Sequence, residues 1–255
     1  MGVSSTPKGF VMKSIQKPKF GLTNNQLKII AMVSMLCDHI GLLFFPTVAI
    51  FRIIGRIAFP IFAYMIAEGC RYTKNRAKYL GMIGAMALVF QVVYFVAMGS
   101  LYQGILVTFS LAIITVFSID GILKGKGLGV RLASVAALAF VAFFVFLLPQ
   151  FLKGTDFDLD YGIWGILLPV VVYFMPNRPW QIGGACALLL VRALYCGLLA
   201  VPAQPLQWFS LLTLPLLFFY NGERGKAKMK YVFYIFYPAH LVILYGIAIL
   251  IMMLK

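Results

Sequence analysis

Nine predominantly apolar stretches follow one another from Leu27 to Leu254, joined by short polar links. Windows of about 20 apolar residues are what a helix needs to cross the hydrocarbon core of a bilayer. The stretches are Leu27–Pro46, Val48–Cys70, Leu80–Met98, Gly104–Leu123, Val130–Leu148, Gly162–Met175, Gln181–Ala200, Leu206–Tyr220 and Tyr231–Leu254. Composition agrees: 62% of residues are hydrophobic and 11% charged, where a soluble domain carries about a quarter charged residues. The fold class is therefore all-α, a polytopic integral membrane helix bundle of about nine helices, with eight to ten as the range. Residues 27–255 form a single transmembrane domain, and residues 1–26 a basic cytoplasmic N-terminal segment. That segment lacks the apolar core and small-residue cleavage site of a secretory signal.

The net charge of +15 is a topology signal, and no nucleic-acid partner is needed to explain it. Basic residues gather in alternate links: Lys8 to Lys28, then Arg71, Lys74, Arg76 and Lys78, then Lys124, Lys126 and Arg131, then Arg178, and finally Arg224 to Lys230. The opposite links hold Lys153 and Lys255 together with Asp156, Asp158 and Asp160. The positive-inside rule then puts the N-terminus in the cytoplasm and the C-terminus outside, as a multi-pass protein of the cell membrane. Cys37, Cys70, Cys186 and Cys196 lie in or at the ends of apolar stretches without C-x-x-C spacing, which argues for core residues rather than disulfides or metal ligands. The two short stretches, with Pro169 and Pro215, read as kinked helices.

Some polar residues lie inside the spans. Asp38 and His39 stand in the middle of the first stretch, and Arg52 and Arg56 inside the second. A charge near the bilayer centre costs roughly 2.5–3.5 kcal/mol on insertion scales, so such groups pair or line a functional cavity. At 1.5 Å per residue His39 lies roughly 18 Å from the start of its span and Arg56 roughly 12 Å from the opposite start, which is one level of a ~30 Å core. Arg192, His240, Gln91 and Tyr94 fall at similar depth. Neighbours on a helix point about 100° apart, so Asp38 and His39 do not form a dyad by adjacency. His39 can face the cavity while Asp38 pairs with an arginine or with His240, and His39 itself reads either as a general base or as a satisfied structural histidine.

Asp38 against Arg52, Arg56 and Arg192 leaves an excess of positive charge, which predicts a cavity that receives an anion such as a carboxylate or phosphate. Glu68 and Arg71 are three apart and read as a helix-end ion pair. Arg71, Lys74, Arg76 and Lys78 could also hold the phosphates of a cytoplasmic nucleotide.

Three segments carry a family resemblance. They are Leu27-Lys28-Ile29-Ile30-Ala31-Met32 through Cys37-Asp38-His39-Ile40-Gly41, Phe51-Arg52-Ile53-Ile54-Gly55-Arg56-Ile57-Ala58-Phe59-Pro60, and Glu68-Gly69-Cys70-Arg71-Tyr72-Thr73-Lys74-Asn75-Arg76. With Tyr161-Gly162-Ile163-Trp164-Gly165, Tyr220-Asn221-Gly222-Glu223-Arg224-Gly225 and Tyr237-Pro238-Ala239-His240, this chain resembles the TraX family, named for pilin acetylation. More distantly it is similar to membrane acyltransferases such as the O-antigen acetylases and the lysosomal heparan acetyltransferase.

The resemblance implies an acyltransferase that moves an acetyl group from cytoplasmic acetyl-CoA to an amine or hydroxyl of an acceptor at the outer face. A pilin N-terminus, a cell-surface glycan or a lipid would serve as acceptor. Acetyl-CoA is then the donor substrate, with no permanently bound cofactor and no metal. His39 matches the histidine implicated in transfer in that group, with Asp38 beside it. Arg52, Arg56 and Arg192 become candidates for the oxyanion or the donor phosphates. Arg71, Lys74, Arg76 and Lys230 are candidates for donor access, and Glu68, Gln91, Tyr94, Tyr237 and His240 are secondary candidates. The chemistry is consistent, because the acceptor needs a base and the thioester a positive oxyanion site. Two other readings stand beside it: a transporter or flippase for an anionic solute or lipid with Asp38 and His39 as proton relay, and a non-enzymatic membrane subunit.

Overall fold

The computed structural model describes residues 21–200, 202–226 and 229–254, and among these it is helical throughout, with no strand. The basic segment expected over residues 1–26 lies outside the described residues up to position 20. Helix α1 (Asn24–Phe44) starts at a capping box: the Thr23 amide donates to Gln26 Oε1 at 2.8 Å, and the Gln26 amide donates to Thr23 Oγ1 at 3.4 Å. These bonds satisfy two of the amides that every helix start leaves free.

The second apolar stretch is not one continuous helix, as the sequence predicted. It is split into α2 (Ala49–Gly55) and α3 (Ala58–Tyr72). Pro60 has no amide to offer the Arg56 carbonyl. The chain tightens before it, with the Arg56 amide shared between the Arg52 and Ile53 carbonyls, both at 3.2 Å.

Next come α4 (Arg76–Met98), capped by Asn75, and α5 (Ile105–Lys124). Helix α6 (Leu128–Ala142) continues through a π-turn, Phe143–Leu147, into the short α7 (Leu148–Phe151). Then come α8 (Gly162–Phe174) and α9 (Arg178–Leu194), the latter ending in a second π-turn, Tyr195–Leu199. A 3₁₀ segment, Pro205–Leu212, leads into α10 (Thr213–Phe218), and α11 (Lys230–Met253) closes the fold.

Seven spans, not nine, are long and apolar enough to cross a bilayer among the described residues. The other two apolar segments, Gly162–Phe174 and Pro205–Phe218, are shorter; a helix of 13 residues reaches about 20 Å, well under a ~30 Å core. Both nevertheless run between the same two faces of the bundle as their neighbours. On one face the start of α1 bonds the 219–224 link, with the Asn24 amide 2.7 Å from the Glu223 carbonyl. There too Arg71 donates to the Val172 and Tyr173 carbonyls at 3.0 and 2.8 Å, and Arg178 to those of Leu217 and Phe218 at 3.0 and 2.7 Å. This face carries most of the described lysines and arginines and is called the basic face below. On the opposite face the 99–104 and 152–161 links are joined, the Gln103 amide donating to the Asp158 carbonyl at 2.8 Å.

Helix α3 runs through the centre, with Ile61, Ala63, Tyr64 and Ala67 buried against α1, α5 and α8. Helices α4, α6 and α11 leave long apolar flanks outward, the surface a bilayer covers.

Candidate functional site

The deep charges meet where α1 faces α2. Arg52 Nη1 donates to Asp38 Oδ2 at 2.9 Å, and Arg56 Nη2 donates to Oδ1 of the same carboxylate at 3.2 Å. Each oxygen thus has its own guanidinium. The close approach requires Gly55, since a Cβ at that position would overlap the Asp38 carboxyl. Among the described residues Asp38 bonds the arginines rather than His39 or His240.

His39 faces elsewhere. Its Nδ1 lies 2.8 Å from the Met35 carbonyl. A carbonyl only accepts, so Nδ1 carries a proton, and in the neutral form of the ring Nε2 is then the basic nitrogen. His240 is held the same way, Nδ1 at 2.8 Å from the Phe236 carbonyl, and its buried Nε2 has no partner among the described residues. The two rings meet edge to face with centroids 5.0 Å apart.

Asp38, His39, Arg52 and Arg56 line a cavity of about 860 Å³ that opens towards the opposite face. Arg192, from α9, lines it too. Its Nη1 donates to Gln207 Oε1 at 2.6 Å, and its cation lies 4.6 Å from the Tyr161 ring centroid and 5.6 Å from that of Phe59. It is 6% exposed, and its Nε has no partner among the described residues. Tyr161 reaches this stack from a left-handed backbone, φ 61°, a conformation a bulky residue adopts only under tertiary constraint.

The predicted excess of positive charge is not what the cavity contains. Asp158 and Asp160, counted in the sequence as mere loop charges, also line it, so three carboxylates face three arginines. The 152–161 link folds inward because Thr108 Oγ1 donates to the Asp160 carbonyl at 2.8 Å and Tyr102 Oη to Asp160 Oδ1 at 3.1 Å. The site therefore has poles of both signs rather than a single anion-attracting field.

Tyr94 and Tyr237 line the same cavity. Gln91 stands behind it and pins the 99–104 link, donating from Nε2 to the Tyr102 carbonyl at 2.8 Å and accepting from the Gly104 amide at 3.3 Å.

A second cavity, of about 740 Å³, opens at the basic face. The two cavities share four lining residues: Met35, Phe62, Ile105 and Tyr237, one each from α1, α3, α5 and α11. A wall one side chain thick separates them, with His39 one turn above Met35. The residues expected to frame donor access are placed differently. Arg71 is occupied with Glu68, at 3.4 Å, and with the end of α8. Arg76 is bonded to Asp120, which Lys124 also pairs at 2.6 Å. Lys74 is exposed and outside the lining, and the Lys230 side chain lies outside the described residues. Lys28, Lys78 and Arg224 line the cavity instead, as does Glu68, whose carboxylate accepts from Tyr220 Oη at 3.2 Å.

Asp160 titrates within reach of experiment. Burial inside the cavity pushes its carboxyl up to about 6, against the opposing pull of the Tyr102 hydroxyl, Arg192 and Arg56. An acid raised above its unfolded value of 3.8 binds its proton more tightly when folded. Its contribution is therefore full below about pH 4 and is lost as pH rises to about 6. Asp160→Asn should then gain roughly 1–3 kcal/mol over wild type between pH 4 and pH 7.5. Thermal unfolding in neutral detergent at the two pH values measures this, and an unchanged difference in melting temperature would refute the assignment.

A family model described as TraX protein matches residues 23–248. Over 248 aligned residues the chain is 26% identical to a Dichelobacter nodosus protein described as "Probable fimbrial assembly protein FimC, serogroup H1", covering 86% of this chain and 93% of that one. A shorter similarity, 52% identity over 44 residues, covers 16% of this chain and 18% of an uncharacterized protein of Rickettsia prowazekii (strain Madrid E). No solved structure matches the chain. The family match takes in both cavities, the Asp38 clamp and the wall between them, and the chain belongs to the TraX family.

Proposed function

We propose that this protein is an integral-membrane acyltransferase that moves an acetyl group from acetyl-CoA at the basic face to an amine or hydroxyl of an acceptor at the opposite face. The observation that carries this reading is the pair of cavities open to opposite faces, with His39 at the wall between them. A thioester arm entering from the basic face has to cross only that wall to reach the imidazole. The acceptor attacks the thioester carbonyl and its proton passes to His39 Nε2. The C–S bond then breaks and the CoA thiolate leaves, to be protonated in turn. Arginine cations stand in the same cavity to stabilise the oxyanion. The Nδ1–Met35 bond supports the base assignment, since it fixes the tautomer with Nε2 free.

The D. nodosus relative is named for fimbrial assembly, which supports a secreted fimbrial subunit as one acceptor; a surface glycan or lipid offers the same nucleophiles. The test is purified protein in proteoliposomes, given acetyl-labelled acetyl-CoA and a membrane extract. Label should appear on the acceptor with stoichiometric release of free CoA. Net movement of an anionic solute without covalent labelling would establish a transporter instead.

A further inference from the structure

The basic-face cavity has a charge arrangement that the reaction at His39 does not explain. Lys28, in the second turn of α1, and Arg224, in the link before α11, are 196 positions apart in sequence. Backbone bonds bring them together: the Asn24 amide to the Glu223 carbonyl at 2.7 Å, the Asn25 amide to the Arg224 carbonyl at 3.3 Å, and the Asn221 amide to the Leu22 carbonyl at 2.9 Å. The two cations are close enough to repel each other. Lys78, from the first turn of α4, lines the same cavity.

No carboxylate lies within ion-pair distance of any of the three among the described residues, where all seven acidic side chains are found. Glu68, the one acid in the lining, is occupied by Arg71 and Tyr220. Lys28 Nζ instead lies 5.1 Å from the Phe233 ring centroid. Gathering like charges without a counter-ion costs energy that a bound anion recovers.

Beside the cations the cavity is lined by apolar side chains that include Met65, Met86 and Phe109 and the four residues shared with the other cavity. Such a lining suits an anionic head held by the cations and an apolar chain beyond it. We infer that Lys28, Lys78 and Arg224 form a phosphate-binding site that anchors a ligand whose chain points at the wall. This rests on the proposed function for naming the ligand as CoA, but not for its phosphate chemistry, which an anionic phospholipid headgroup would share.

Calorimetric titration of the purified protein in neutral detergent, with four probes, tests the site. Coenzyme A and adenosine 3′,5′-bisphosphate should bind and pantetheine should bind far more weakly; short-chain phosphatidylglycerol is the lipid arm. Lys28→Gln and Arg224→Gln should each weaken CoA binding by about tenfold or more, and Lys78→Gln by less. Lys126→Gln, an exposed lysine of the same face outside the lining, should leave it unchanged. Melting temperatures verify that each variant is folded.

Binding of phosphatidylglycerol alone, lost in the same variants, would support the phosphate site and sink CoA as donor. Pantetheine binding as tightly as CoA, or unaltered binding in all three variants, overturns the site. Absence of binding by every probe while acetyl transfer proceeds would also overturn it, leaving the transfer reaction standing.

Discussion

His39→Ala should lower acetyl transfer by about 10²–10⁴-fold, the usual contribution of a positioned general base, while leaving the protein folded. The imidazole makes one polar bond to its own helix, at Met35, and that carbonyl keeps its place in the α1 ladder when the ring is gone. What disappears is the imidazole from the cavity lining. His39→Gln offers a donor and an acceptor but no base, and should be nearly as slow. Free imidazole at millimolar concentration should partly restore the alanine variant, because the 860 Å³ cavity admits a ring of that size. His240→Ala is the internal comparison. That ring does not line the cavity but packs edge-on against His39, so its loss should loosen the position of His39 and cost far less. Wild-type labelling by His39→Ala would end the base assignment.

The second large effect is expected at Asp38. Its carboxylate balances Arg52 and Arg56 with one oxygen each, and the three side chains are largely withdrawn from solvent. Removing one partner of such a cluster leaves charge uncompensated, which costs about 3 kcal/mol or more. Asp38→Asn should therefore lower the melting temperature in detergent by several degrees. It should also reduce transfer, since the freed guanidiniums have Asp158 and Asp160 in the same cavity to turn towards. A double-mutant cycle separates the contributions: the combined Asp38→Asn and Arg52→Gln change should cost less than the sum of the two single changes. Strict additivity would show that the pair seen between α1 and α2 contributes nothing.

What the sequence disclosed follows the range of the interactions involved. Helices with continuous apolar periodicity and capping chemistry, such as α1 behind Thr23 or α4 behind Asn75, were legible to within a few residues because their causes are local. The break at Arg56 was not, although Pro60 announces it: a proline early in a helix reads equally as a kink or as a new first turn. Depth arithmetic brought His39 level with Arg56, and the two do line one cavity. It could not show that Asp38 would take both arginines, because that depends on Gly55 letting α2 close in. The charge count failed for a different reason. It treated the 152–161 link as external, whereas long-range bonds from Thr108 and Tyr102 fold Asp158 and Asp160 into the cavity. Lys28 and Arg224 were likewise visible only as topology signals and as members of two separate resemblance segments. Nothing in either segment marks that one link would be laid across the start of α1.

The wall formed by Met35, Phe62, Ile105 and Tyr237 also has an electrical consequence. Where aqueous vestibules enter a bilayer from both sides, most of the membrane potential falls across the thin insulating layer left between them, at about 2.3 kcal/mol per elementary charge for each 100 mV. An anionic head anchored at Lys28 and Arg224 stays outside that drop, so docking of the donor should be nearly indifferent to voltage. A proton leaving His39 towards the opposite face likewise avoids most of it. Any ion leaking through the wall would feel nearly all of it. In the proposed reaction, the closeness of the two cavities that would bring a thioester within reach of an imidazole also makes the side chains between them the barrier to ion leakage.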